Sequence, residues 1–348
     1  MRDIKLARAG LVFVAAFSAA LPATSAAAQT AVKITLGGNF GGPSAPFLVA
    51  QDRGYYRAEK LDVTIDATGA APDAISRVAS GAYDLGVADI NALIKYRDQN
   101  PGVPVKALFM LYNKPPYAIV ARKSRGIVKP KDLEGKKLGA PAADAANAQW
   151  PLFAKLNDID TSKVTMENVA LPVRDPMLAA GQVDAVTGIS FSSYFDLKDR
   201  GVPVDDLVVL PMADYGLRLY GEAIIANPKF VAENPAAVKA FLHAFLKGLK
   251  DTLRDPARAI ESVVKQDETV KKELELERLR MVIRDNILTA EVRANGLGGV
   301  DPARLAQAID QIALTFKFKV KPEAVDIFDP AFLPPAGERR VNEPQRPG

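Results

Sequence analysis

The sequence predicts an α/β protein of two similar lobes, and three observations carry that prediction. Short apolar runs alternate with amphipathic stretches along most of the chain, the pattern of strands and helices built around sheets. One local pattern occurs twice, as Asp73, Gly81 and Asp84 and again as Asp175, Gly181 and Asp184, with glycine and aspartate at equal spacing. In each, a short helix runs to a glycine able to take positive φ, and the chain turns into a buried strand after the aspartate. Two unrelated turns that look alike are the plainer reading of this repeat, and two lobes of one architecture the other. Finally, the roughly 320 residues that follow an N-terminal apolar segment are enough for two lobes by usual domain sizes.

Taken in order, 32–36 reads as a strand, and the glycine-rich stretch 37–43 as a loop that no regular element holds. Ser44 is placed to cap a helix through Arg53, closed by Gly54. Leu61, Val63 and Ile65 alternate as a second strand; 73–80 is a helix, 83–88 a strand, 89–99 a helix and 105–112 a strand. A second lobe begins near residue 117 with a strand over 117–123. There the alternation repeats: strand 136–141, helix 143–157, strand 164–171, helix 175–180, strand 183–188. From Asn227 the chain is mostly helical, with Val238, Phe241, Leu242, Phe245, Leu246, Leu249 and Leu253 on one stripe. The charge-dense run 268–284 reads as a solvated helix face, and 331–348 as a loose C-terminal tail.

The N-terminus carries Arg2, Lys5 and Arg8, then an apolar run over 9–21, then small residues ending at Ala28. That layout predicts a secretory signal peptide over 1–28, cleaved before Gln29. The apolar run is short of the ~20 residues of a spanning helix. There is no cysteine, so neither a lipid-modified cysteine nor a disulfide framework is expected. The net charge of +4 becomes +2 without the leader, and the basic residues are scattered, so no nucleic-acid partner is expected.

Catalytic signatures are missing. The single histidine, His243, falls beside lysines on the polar side of an amphipathic helix and reads as a surface residue. Without cysteine or a second histidine, thiolate nucleophiles, histidine triads and His or Cys metal sites have no residues to use. The stretch Gly188, Ile189, Ser190 lacks the closing glycine of a nucleophile elbow. Glycines 37, 38, 41 and 42 do not satisfy G-x-G-x-x-G, and Pro43 stands where a phosphate-binding loop has its lysine. No cofactor and no metal are expected.

The run GYYRAEKLDV at 54–63, preceded by APFLVAQDR at 45–53, resembles the opening motif of the nitrate, sulfonate and taurine solute-binding proteins. That group also holds binding proteins and synthases for the thiamine pyrimidine precursor. GAYDLG at 81–86, KDLEGKKLG at 131–139, GQVDA at 181–185 and GEAIIANPKF at 221–230 follow in family order. The resemblance implies a type II periplasmic-binding-protein fold: two doubly wound α/β lobes joined by two crossing segments, near 113–118 and 215–222. Lobe one is then 29–116 with 221–330, and lobe two 117–220. It further implies a monomeric periplasmic subunit that holds a small molecule between its lobes and delivers it to the permease of an ABC importer.

Ligands of doubly wound sheets sit at strand C-termini beside helix N-termini. On lobe one this places Asn39, Phe40 and Ser44, then Gly69 and Ala70, then Asp89 and Tyr112. On lobe two it places Asn147, Arg174, Ser190 and Phe191, with Tyr215 and Tyr220 near the return crossing. Asp89 is equally an ordinary helix cap, and Phe191 equally core. The tyrosines and phenylalanines suit a flat heteroaromatic ring, Asp89 an amine, and Ser44 with Arg174 a sulfonate or carboxylate. A pyrimidine-precursor synthase and a sensory binding subunit are the rival functions. The synthases of the family depend on a histidine and a cysteine-rich motif, which this chain lacks.

Overall fold

The computed structural model describes residues 29–67, 74–142 and 144–341. The expected signal segment, Gly69 and Ala70 therefore lie outside the described residues. Strand β1 (Thr30–Leu36) leads through a 3-10 turn (Gly42–Ser44) into α1 (Ala45–Asp52), α2 (Tyr55–Ala58) and β2 (Leu61–Ala67). Gly54 between the two helices has φ 71°, the left-handed conformation expected of a helix-closing glycine. Then come α3 (Ala74–Ala79), β3 (Leu85–Asp89), α4 (Ile90–Gln99) and β4 (Lys106–Met110).

The chain then crosses to the second sheet: β5 (Tyr117–Arg122), β6 (Lys137–Gly139), α5 (Trp150–Leu156), β7 (Thr165–Glu167), α6 (Leu171–Ala179), β8 (Ala185–Ile189), α7 (Ser190–Asp199) and β9 (Leu207–Pro211). It returns with β10 (Glu222–Ala226) and finishes in helices α8 (Pro228–Glu233), α9 (Pro235–Arg254), α10 (Pro256–Gln266), α11 (Lys272–Val282), α12 (Ala290–Asn295), α13 (Pro302–Ala313), α14 (Ala324–Ile327) and α15 (Ala336–Arg339).

The two sheets have orders β2-β1-β3-β10-β4 and β7-β6-β8-β5-β9. In the first, β1 is parallel to β2 and β3, and β10 runs antiparallel between β3 and β4. In the second, β6 is parallel to β7 and β8, and β5 runs antiparallel between β8 and β9. The two orders are therefore one topology used twice. The repeated Gly and Asp have a shared job: Gly81 and Gly181 have φ 79° and 72°. After them, the Asp84 and Asp184 carboxylates accept from the Lys33 and Lys137 backbone N–H groups at 2.8 and 2.9 Å, locking each turn to the neighbouring strand.

Four expectations need correction. The stretch expected as a strand over 164–171 is a short strand followed by α6, which starts at Leu171: Pro172 cannot donate to a ladder and fits a helix's first turn. Residues 331–341, expected to begin a loose tail, are packed: Phe332, Leu333 and Val341 lie against the cores, and the Leu297 N–H donates to the Arg339 carbonyl at 2.8 Å. His243 is half-buried rather than on open surface, because α9 presents its polar side to α2 and to the C-terminal segment. Its Nδ1 lies 2.8 Å from the Glu59 carboxylate and its Nε2 3.2 Å from that of Glu338. Within the charged run, Glu275 and Arg278 on α11 keep only 12% of their side-chain surface exposed, because that face meets the cleft loop and lobe two. Among the described residues no helix is long and apolar enough to cross a membrane.

Candidate functional site

A cleft lies between the sheets, in two connected chambers that share Gly37, Asn39, Val87, Ile189, Asp196 and Glu222. The smaller, about 420 Å³, is walled by Phe40, Phe47, Tyr112 and Phe191. The larger, about 630 Å³, runs past Asp89 and Lys95 on lobe one to Asp144, Gln149, Leu171 and Arg174 on lobe two. The aromatic chamber forms where the glycine-rich loop after β1 turns Phe40 inward, where Tyr112 follows β4 and where Phe191 opens α7. Those two rings meet edge to face, centroids 6.2 Å apart and planes at 80°. Burial, and then the charge of Glu222, hold the Tyr112 phenol protonated well above its ordinary range.

The floor is acidic. Asp89 ends β3 and caps α4, its Oδ1 accepting from the Asn91 N–H at 2.7 Å and the Asn91 amide at 2.8 Å. Directly opposite in the antiparallel register stands Glu222, the first residue of β10. Among the described residues no hydrogen bond or ion pair reaches its carboxylate. Burial, reinforced by the charge of Asp89, pushes the Glu222 carboxyl up to about 7. Burial likewise raises Asp89 and lowers Lys95.

The cations of the cleft are mostly spoken for. Arg174 is inside α6 rather than on a loop after a strand, and its side chain is 6% exposed. It clamps Asp175 with two bonds of 3.0 Å, donates to Ser193 at 2.8 Å and lies 3.8 Å from Asp144. Arg278 is held by Glu275 at 3.1 Å and Asp196 at 3.2 Å. Among the described residues of the two chambers, Asp89, Asp144, Asp175, Asp196, Glu222 and Glu275 face Lys95, Arg174, Arg200 and Arg278, six carboxylates against four cations.

Of the residues picked from the sequence, the structure brings Asn39, Phe40, Ser44, Asp89, Tyr112, Arg174 and Phe191 to the cleft. Four others do not line either chamber. Asn147 turns its amide to the Pro141 carbonyl at 3.0 Å. Ser190 is buried at the start of α7, its N–H on the Pro116 carbonyl. Tyr215 packs edge-on against Phe153 in the lobe-two core.

Tyr220 belongs to the hinge. Its hydroxyl donates to Glu291 at 2.7 Å and accepts from the Asp301 N–H at 2.8 Å, and the Arg304 guanidinium lies 3.9 Å from its ring centroid. That same guanidinium donates to the Asn113 and Leu219 carbonyls at 2.8 and 2.7 Å, tying both crossing segments together. Sequence reasoning missed Glu222, Glu275 and Arg278. Only Glu222 left a signal, a carboxylate heading an otherwise apolar strand.

The profile of the family described as NMT1/THI5 like matches residues 43–259. The chain belongs to that family. Among NMT1/THI5 like relatives, it is 28% identical over 269 residues to the riboflavin-binding protein RibY of Chloroflexus aurantiacus, an alignment spanning 72% of this chain and 74% of that one. It is 26% identical over 227 residues to the 4-amino-5-hydroxymethyl-2-methylpyrimidine phosphate synthase of Schizosaccharomyces pombe, which covers 63% of this chain and 64% of the synthase, slightly under two thirds of its length. In structure it is similar to the periplasmic aliphatic sulphonate binding protein SsuA of Escherichia coli, with TM-score 0.69 at 15% identity over 92% of this chain and 98% of SsuA. The NMT1/THI5 like chain thus has the two-lobe periplasmic-binding-protein fold that its motifs implied.

Proposed function

We propose that this chain is the exported, periplasmic solute-binding subunit of an ABC importer, and that its cargo is a flat heteroaromatic molecule bearing hydrogen-bond donors and a polar extension. The observation that carries the reading is the pairing of an aromatic chamber with a carboxylate, Glu222, that meets no partner among the described residues, beside Asp89. A ring enters between Phe40, Tyr112 and Phe191, where stacking and edge contacts add about 0.5–1.5 kcal/mol per pair beyond burial. Its donor edge meets Glu222 and Asp89, and its polar extension lies along Asp144 and Gln149. The connected chambers exceed what a lone pyrimidine needs and fall within the range of organic ligand pockets.

Nitrate and simple sulfonates fit less well, because Arg174 and Arg278 already serve carboxylates. The synthase alternative lacks side chains: the chain has no cysteine, and its single His243 sits on α9 between Glu59 and Glu338. Ligand touching both lobes favours the closed arrangement, since only that state makes both sets of contacts. The permease would read the closed form.

Calorimetric titration of the mature protein with riboflavin, an aminopyrimidine, taurine and nitrate tests the reading. A heteroaromatic that binds, and binds about tenfold more weakly to Phe40→Ala, supports it. Binding of taurine or nitrate with none of a heteroaromatic would overturn the cargo class.

A further inference from the structure

α11 is fixed to lobe one through the glycine-rich loop. The Gly42 N–H donates to Glu275 at 2.6 Å, and a Cβ on Gly42 would stand 2.6 Å from the Glu275 carbonyl, so only glycine allows this approach. From that anchor α11 reaches lobe two. Arg278 holds Glu275 through Nε, donates to the Phe191 carbonyl at 3.4 Å and to Asp196 at 3.2 Å, both on α7. Two more ion pairs flank it, Lys198 of α7 with Glu277 of α11 at 2.5 Å, and Lys271, just before α11, with Asp199 of α7 at 2.6 Å. The Phe191 ring, carried on lobe two, packs into the lobe-one core beside Tyr112.

The geometry points to Arg278 as the positioning residue that sets the separation of the two lobes along one side of the cleft, with the flanking pairs completing an ionic clasp between α7 and α11. Opening is then confined to the far side, between Ala74 and Ile75 on one lobe and Leu171 and Pro172 on the other, which line the larger chamber. The effects rank by burial. The flanking pairs are exposed and screened by salt, so they add little each. Arg278 and Glu275 are sheltered and dominate. The consequence for cargo rests on the binding reading above, but the lobe separation is measured without any ligand.

The cysteine-free chain accepts a labelled pair without background. Ser76→Cys on α3 and Val173→Cys on α6, both exposed, carry nitroxides for a pulsed dipolar distance measurement on the ligand-free protein. In the parent the distance distribution is narrow. Arg278→Met lengthens and broadens it, Arg278→Lys returns it part of the way, and Lys198→Glu with Lys271→Glu gives a smaller shift that Glu277→Lys with Asp199→Lys reverses. A merely structural Arg278 would lower the melting temperature and leave the distances of the folded protein unchanged. That result, or a charge swap without recovery, overturns the assignment. Failure of every cargo to bind would leave it standing.

Discussion

Glu222→Gln should stabilise the ligand-free protein at alkaline pH and do nothing at acid pH. In the folded chain the carboxyl titrates at about 7 instead of 4.5, because burial and the facing Asp89 penalise its charge. A raised carboxyl means the folded state binds more protons than the unfolded one between those values, so stability falls as pH rises through that window. Below about 4.5 both states are protonated and the penalty is absent; above about 7 it is complete, roughly 3 kcal/mol at ~1.36 kcal/mol per pH unit. Glutamine keeps the shape and stays neutral. No bond is sacrificed, since none reaches this carboxylate among the described residues. Urea unfolding of parent and variant at pH 4.5, 6 and 8.5 should therefore give differences near zero, then intermediate, then roughly 3 kcal/mol in favour of the variant. A difference that does not change with pH, or a variant less stable at pH 8.5, would refute the account of Glu222 as an unpaired, strained charge. The same variant should bind a cationic or donor-bearing cargo more weakly, the expected exchange of stability for function at a binding site.

Arg174→Met leaves Asp175 and Asp144 buried without their cation and should cost roughly 3–5 kcal/mol of stability; a thermal melt equal to the parent's, with binding lost, would make Arg174 a cargo contact instead. Phe40→Ala should weaken heteroaromatic binding about tenfold with little change in melting. Asp89→Ala should weaken binding and also cost about 1 kcal/mol through the lost cap of α4; unchanged affinity in both variants rejects this pocket. Mass spectrometry of the exported protein should find Gln29 at the N-terminus, and an intact Met1 rejects the cleavage.

Much of the architecture was legible because it rests on local rules. Alternation marked the strands, and the paired Gly81 with Asp84 and Gly181 with Asp184 marked a turn that two sheets share. The cleft was only half legible. Phe40 and Asp89 sit where a strand ends, a position that sequence order defines. Tyr215 and Tyr220 sit on or beside a crossing segment, whose residues can face cleft, core or hinge, and their partners Phe153, Glu291 and Arg304 are distant in sequence. Arg278 and Glu275 were hidden by composition: a charged run reads as solvated unless one knows that Gly42 and Asp196 face it. Arg174 was misread because Pro172 was passed over as a helix start.

The placement of β10 bears on how the chain acquires its shape. β3 and β4 do not pair with one another; the strand that joins them arrives more than a hundred residues later, after all of sheet two has been spelled out. A chain made from its N-terminus thus offers an incomplete first sheet with unpaired edges, and only the late strand seals it. Closing so long a loop is slow compared with local contacts. On the export route proposed above, that delay would keep the first half unfolded for passage until the second has been made.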